Sequence, residues 1–232
     1  MMDAADDAKP REPAIRAPAV VLLLIGVIVL AHVARVLLPV ALSNQILLDY
    51  ALIPARYASA NPGTWIEQAW PFVGYIFIHA NLTHLLINNL WLLAFGPIVA
   101  RRYGATLFVL FFLLCGIASA AVYLACNWGS PNPVIGASGA VSGLMAAAIR
   151  MLGSLRRPFD APAKPTPILS AQVLIFSGIW AAVNVLAGVT GLGTGGQIRL
   201  IAWQAHLGGY AAGLLLAGPF DTVRRYFVPV PA

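Results

Sequence analysis

Six apolar runs, at about residues 17–42, 80–99, 105–126, 136–153, 168–187 and 203–219, occupy most of this 232-residue chain. About 20 apolar residues are what a helix needs to cross the hydrocarbon core of a bilayer. Within that core each backbone N–H and C=O must find a partner in the protein, so such runs fold as helices. The composition agrees: 60% of the residues are hydrophobic and only 9% are charged, which excludes an ordinary water-soluble domain. The fourth and sixth runs are short and rich in Gly and Ala, and hydropathy marks them less strongly than the others. The first run is too long for a signal-peptide core and no convincing cleavage site follows it, so a retained helix is expected. His32 and Arg35 within it are expected to snorkel or face protein, without a catalytic part.

Charge then orients the runs. Lys9, Arg11 and Arg16 precede the first; Arg101 and Arg102 lie between the second and third. Arg150, Arg156, Arg157 and Lys164 lie between the fourth and fifth, and Arg224 and Arg225 follow the sixth. Eleven of the fourteen basic residues therefore share one side, against Arg56 and Arg199 in the opposite loops. The positive-inside rule puts both termini in the cytoplasm, as in a bacterial inner-membrane protein. The expected fold is an all-α polytopic membrane protein with six transmembrane helices. Residues 1–16 form a disordered cytoplasmic tail, 17–220 one membrane domain, and 221–232 a second short cytoplasmic tail. The long loop over about 43–79 carries Tyr50, Tyr57, Trp65 and Trp70, which suit the outer interface. Pro158, Pro162, Pro165 and Pro167 should make the fourth-to-fifth connection stiff and non-helical.

Other function classes recede on the same grounds. The basic residues form no stripe with interleaved aromatics, so no nucleic-acid partner is expected. Cys115 and Cys126 read as small apolar fillers, and no C-x-x-C or His/Cys/carboxylate cluster of ligand spacing suggests a metal.

Topology gives the polar residues of the spans a common frame. The second, fourth and sixth spans all run inward from the outer face, so residues near their starts share one depth. The second begins His79-Ala-Asn-Leu-Thr-His84-Leu-Leu-Ile-Asn88. The fourth begins Gly136-Ala-Ser138-Gly139 and continues to Gly143; the sixth begins Trp203-Gln-Ala-His206 and continues to Gly209 and Gly213. Ionisable groups at such depth are costly and usually mark function. Gly136, Gly139 and Gly143 recur at helical spacing, and His206, Gly209 and Gly213 fall at i, i+3 and i+7. Glycine faces let helices approach closely in lipid, and packing these two would bring the Ser138 hydroxyl to the His206 imidazole. Serine beside a histidine base is the minimal arrangement for nucleophilic acyl transfer. His84 and Asn88 share a face and can donate toward an oxyanion beside the Ser138 N–H. His79 reads as structural, and Asn184 and Gln172 in the fifth span as packing or gate-side polar groups.

On these motifs the chain resembles the rhomboid intramembrane serine proteases over roughly residues 17–220. The matching residues are His79-x4-His84-x3-Asn88, Gly136-Ala-Ser138-Gly139 and Ala205-His206-x2-Gly209-x3-Gly213. The resemblance implies a six-helix bundle that cuts membrane-anchored proteins near the outer boundary of their spanning helix, without a cofactor. It implies a Ser138/His206 dyad with no third acid, and an oxyanion site of the Ser138 N–H, His84 and Asn88. It also implies that the fifth span, with Trp180, and the loop after it act as gate and cap. Three positions depart from the family pattern. Pro71 follows Trp70 where many members have Arg, Ala100 lies in a stretch where many have Glu, and Ser142 stands where an aromatic often packs on the histidine. Two other readings use the same spans: a proteolytically silent rhomboid-like protein that binds membrane clients, and a small-solute carrier. Both catalytic residues are present, against the first; the polar groups crowd one face and no inverted repeat is visible, against the second.

Overall fold

The computed structural model describes residues 17–60, 63–155, 164–191 and 202–227. The expected tail 1–16, most of the proline-rich connector, the cap after the fifth span and the last five residues lie outside these. Among the described residues the elements are helical. They are α1 (Ala19–Leu37), α2 (Val40–Tyr50), α3 (Pro54–Tyr57), α4 (Trp65–Ala69), α5 (Pro71–Gly74) and a 3-10 turn at Tyr75–Phe77. The long helices α6 (Leu82–Cys126), α7 (Ser138–Leu155), α8 (Ala171–Thr190) and α9 (Trp203–Phe227) follow.

The expected second and third spans appear as the two arms of α6. Gly104 interrupts that helix at φ 76°, ψ 171°, a backbone conformation that costs a side-chain-bearing residue dearly. The chain turns back there, so that Leu85 at the start of the first arm and Cys115 in the second belong to one core. By length and composition α1, α6 and α8 can cross a membrane, and α7 is a shorter apolar helix. The protein is thus an integral membrane protein built as a helical bundle. α6, α7 and α9 pack most closely on one another, α1 lies against α6, and α8 touches mainly α9.

The long loop is folded. Thr64 caps α4 through a capping box with Glu67, whose carboxyl the Thr64 backbone N–H and hydroxyl hold below its ordinary range. Trp65, Ile66 and Trp70 are exposed there. At the bundle end away from Ser138, Tyr103, Phe111 and Phe220 form an aromatic cluster, with Phe111 and Phe220 edge to face and Tyr103 tilted against both. The Tyr103 hydroxyl donates to the Ala217 carbonyl at 2.8 Å. Buried Asp221 accepts from Arg102 Nε at 2.7 Å and from Arg224 Nε at 2.8 Å. α9 continues through this ion-paired turn to Phe227. Arg150, grouped by sequence with the loop, is buried in α7 and donates to the Thr166 and Leu214 carbonyls.

Candidate active site

Ser138 is the first residue of α7, and the strap that delivers it is stitched to the first loop. The Val134 N–H donates to the Leu52 carbonyl at 2.9 Å, and the Leu52 N–H returns to the Val134 carbonyl at 3.2 Å. The Gly136 N–H donates to the Tyr75 carbonyl at 2.8 Å. The Ala137 N–H donates to His79 Nε2 at 3.4 Å. His79 is fully buried, and its own carbonyl accepts from the Arg35 guanidinium at 2.8 Å. Arg35 also donates to the Ser43 hydroxyl at 3.0 Å. The first-span arginine therefore faces protein and braces the strap, a contact that its sequence position does not disclose.

Gly136 is required twice over. Its φ is +108°, and a Cβ there would lie 2.6 Å from Cε1 of His84. The imidazole of His84 thus rests against the strap two residues before Ser138. The Ala80 N–H points at His84 Nδ1 at 3.5 Å, an arrangement that leaves Nε2 as the N–H edge. Asn88 is buried behind it and donates to the His84 carbonyl at 2.9 Å. That bond uses one of its two amide hydrogens, and among the described residues its Oδ1 has no protein partner.

The two glycine faces meet as expected. A Cβ on Gly209 would collide with the Gly139 carbonyl, and one on Gly213 with the Gly143 carbonyl. Backbone thus packs on backbone between α7 and α9. The consequence is a 2.9 Å contact between Ser138 Oγ and His206 Nε2, two residues 68 positions apart. Ser142, one turn on from Ser138, is buried and donates to the Ser138 carbonyl at 2.7 Å, so its hydroxyl is engaged with backbone.

The other imidazole nitrogen is also held. His206 Nδ1 lies 2.8 Å from Asn184 Oδ1, contributed by α8. Sequence spacing pointed to packing or a gate-side role for Asn184, and the structure sets it on the histidine. The signal was present: Ser177, Trp180, Asn184 and Gly188 recur every three or four residues along one stripe of an otherwise lipophilic helix. Trp180 stacks on Tyr210 with ring centroids 4.2 Å apart, and the Ser177 and Tyr210 hydroxyls are 2.9 Å apart. Gln172, the other polar residue weighed there, is exposed. His32 is buried in protein, and among the described residues no cluster of three His, Cys, Asp or Glu side chains could hold a metal ion.

Comparison with known proteins places the chain in context. A family model described as the Rhomboid domain matches residues 66–220. The chain is 28% identical over 155 residues to the rhomboid protease GluP of Bacillus subtilis, covering 67% of this chain and 26% of that protein. It is 28% identical over 150 residues to RHOMBOID-like protein 4 of Arabidopsis thaliana, covering 65% of this chain and 34% of that one. Rhomboid-like protein 11, a chloroplast protein of the same plant, is 29% identical over 170 residues, covering 71% and 55% respectively. The chain thus spans only about a quarter to a half of the length of these relatives.

Proposed function

The chain belongs to the rhomboid family, whose members are generally intramembrane serine proteases, and from that premise we propose that it is itself such an enzyme, cleaving transmembrane-anchored proteins with Ser138 and His206. The observation that carries this reading is the 2.9 Å contact between Ser138 Oγ and His206 Nε2. At that distance the imidazole can take the hydroxyl proton as Ser138 attacks a peptide carbonyl, then return it to the leaving amine.

The oxyanion formed by attack would meet the Ser138 N–H at the start of α7, the Nε2–H edge of His84 and the remaining amide hydrogen of Asn88. Donors aimed at the developing charge are commonly the largest single contribution to such a step. The bond from Asn88 to the His84 carbonyl supports a shared placement of these two donors on α6. A substrate helix in lipid hides its carbonyls in its own hydrogen bonds, so it must unwind before Ser138 can reach one. Gly or Pro near the cut site, with a small residue before it, suits that requirement.

The basic residues support six spans with both termini in the cytoplasm, the spans being α1, the two arms of α6, α7, α8 and α9. Ser138, His84 and His206 then lie toward the outer boundary, and cleavage occurs there. The test is covalent labelling by a serine-directed fluorophosphonate, with Ser138→Ala as its control. Labelling and cleavage of a membrane-anchored reporter should both disappear in the variant, and His206→Ala should be nearly as damaging because the pair acts as one unit. Equal labelling of the wild type and Ser138→Ala would place the nucleophile elsewhere; absence of labelling in the folded wild type would favour the client-binding reading.

A further inference from the structure

In serine hydrolases with a base histidine, a third group commonly holds the far nitrogen of the ring. Here that nitrogen is neither bare nor faced by an acid. It is 2.8 Å from Oδ1 of Asn184 on α8. We propose that Asn184 is the positioning residue of the catalytic histidine, fixing the His206 tautomer and ring plane so that the Nε2 lone pair faces Ser138. The proposal rests on the protease reading and adds to it a third member, drawn from a helix that supplies neither the nucleophile nor the base.

Which end of the Asn184 amide faces the ring decides whether it helps or harms. An amide N–H₂ pointed at Nδ1 would drive the proton to Nε2 and leave nothing to accept the serine proton; an oxygen there does the reverse. The surroundings select the oxygen. Asn184 Nδ2 lies 2.9 Å from the Trp180 carbonyl, one turn earlier on the same helix. A carbonyl accepts and cannot donate, so it must face the amide nitrogen, and a flipped amide would set two oxygens against each other. Oδ1 is left to the imidazole, Nδ1 carries the ring proton, and Nε2 accepts from the Ser138 hydroxyl at 2.9 Å. Helical backbone geometry thereby sets the protonation pattern of the catalytic pair.

A neutral amide also suits the place. A carboxylate in this membrane-embedded cluster would carry a large desolvation cost, whereas an amide oxygen accepts the same hydrogen bond without a buried charge. Ser142 on α7 commits its hydroxyl to the Ser138 carbonyl, and the hydrogen bond to the far ring nitrogen comes from another helix. The same stripe of α8 also meets α9 at Trp180 and Ser177 through Tyr210 and at Gly188 through Trp203, so Asn184 faces His206 within a seam of several separate contacts.

The experiment measures the second-order rate of fluorophosphonate labelling, with kcat and KM for a membrane-anchored reporter and thermal unfolding of each variant. Asn184→Leu keeps the volume and removes the acceptor. Asn184→Ala removes it without added bulk, and carries the test if the leucine variant does not fold. Asn184→Asp restores the acceptor as the neutral acid, which the cost of a buried carboxylate favours: its hydroxyl donates to the Trp180 carbonyl while its other oxygen accepts from Nδ1–H. Ser177→Ala removes a bond from the same seam at a distance from the ring. Labelling and kcat should fall roughly tenfold to a hundredfold in Asn184→Leu and Asn184→Ala, the scale of a reacting group misplaced by up to about 1 Å. KM should hold, and Asn184→Asp and Ser177→Ala should stay within a few-fold of wild type. Wild-type labelling in Asn184→Ala overturns the proposal while leaving the protease reading intact. Equal losses in Ser177→Ala, or no recovery in Asn184→Asp, reduce Asn184 to a seam contact and also overturn it. A folded wild type that does not label removes the protease reading, and this proposal with it.

Discussion

α9 makes two seams, and they are built in opposite ways. Toward α7 it presents Gly209 and Gly213, which lie so close to the Gly139 and Gly143 carbonyls that no side chain fits between. Toward α8 it presents Trp203, His206 and Tyr210, which meet Gly188, Asn184 and the Trp180/Ser177 pair through side chains. In lipid the hydrophobic effect does not press helices together; dispersion at close range and interhelical hydrogen bonds do. The glycine seam gains contact along its backbone and fills the core, where Ala140, Leu144, Ala147 and Ala205 are buried. Only Val173 and Gly188 of α8 are buried, and Leu174, Ile175, Ile179, Val183 and Leu186 face outward. One seam therefore fixes the distance between Ser138 and His206. The other is thinner, is made of individually replaceable contacts, and holds the back of the imidazole.

That contrast can be broken most severely on the glycine side. Gly209→Val or Gly213→Val must push α7 and α9 apart, since the new side chain meets backbone and not a flexible side chain. Overpacking of this kind costs about 1–3 kcal/mol or more, and a displacement of about 1 Å at the reacting groups can cost roughly a hundredfold in rate. Both variants should unfold at lower temperature and lose at least that much labelling. Full activity in either would mean that the glycine seam does not position His206.

On the other seam the same insult should be mild. Trp180→Ala removes the ring stacked on Tyr210, worth about 0.5–1.5 kcal/mol beyond burial. Because α8 stays attached through Asn184, Ser177 and Gly188, labelling should fall by no more than roughly tenfold. A loss as large as that of Gly209→Val, with the unfolding temperature unchanged, would show α8 to be as central to the site as α7.

The smallest effect is expected at Ser142, which lies beside the nucleophile on α7 but spends its hydroxyl on the Ser138 carbonyl. Ser142→Ala should retain labelling within a few-fold and lose about 0.5–1.5 kcal/mol of stability. If Ser142→Ala alone were dead while fully folded, the nucleophile would have been assigned to the wrong serine.

Much of this arrangement is legible along the chain, because a bilayer imposes two local rules. Span length fixes depth, which is why Ser138, His84 and His206 can be expected at one level before any packing is known. Helical spacing fixes face, which is why Gly139 and Gly143 could be matched to Gly209 and Gly213. Neither rule states how far each helix is rotated about its own axis relative to a helix remote in sequence. That rotation brings Asn184 to His206 across 22 positions and the Arg35 guanidinium to the His79 carbonyl across 44. Tertiary packing also pairs Leu52 with Val134 and Arg102 with Asp221, uniting segments that no periodicity links. The sequence by itself determined the apolar helices, the glycine faces and the two side chains proposed to react, since each is read from residues within a single helix. Only the tertiary structure decided what stands behind the histidine and what braces the serine strap. Those contacts depend on how side chains from separate helices interlock, and a chain read one helix at a time holds no record of that angle.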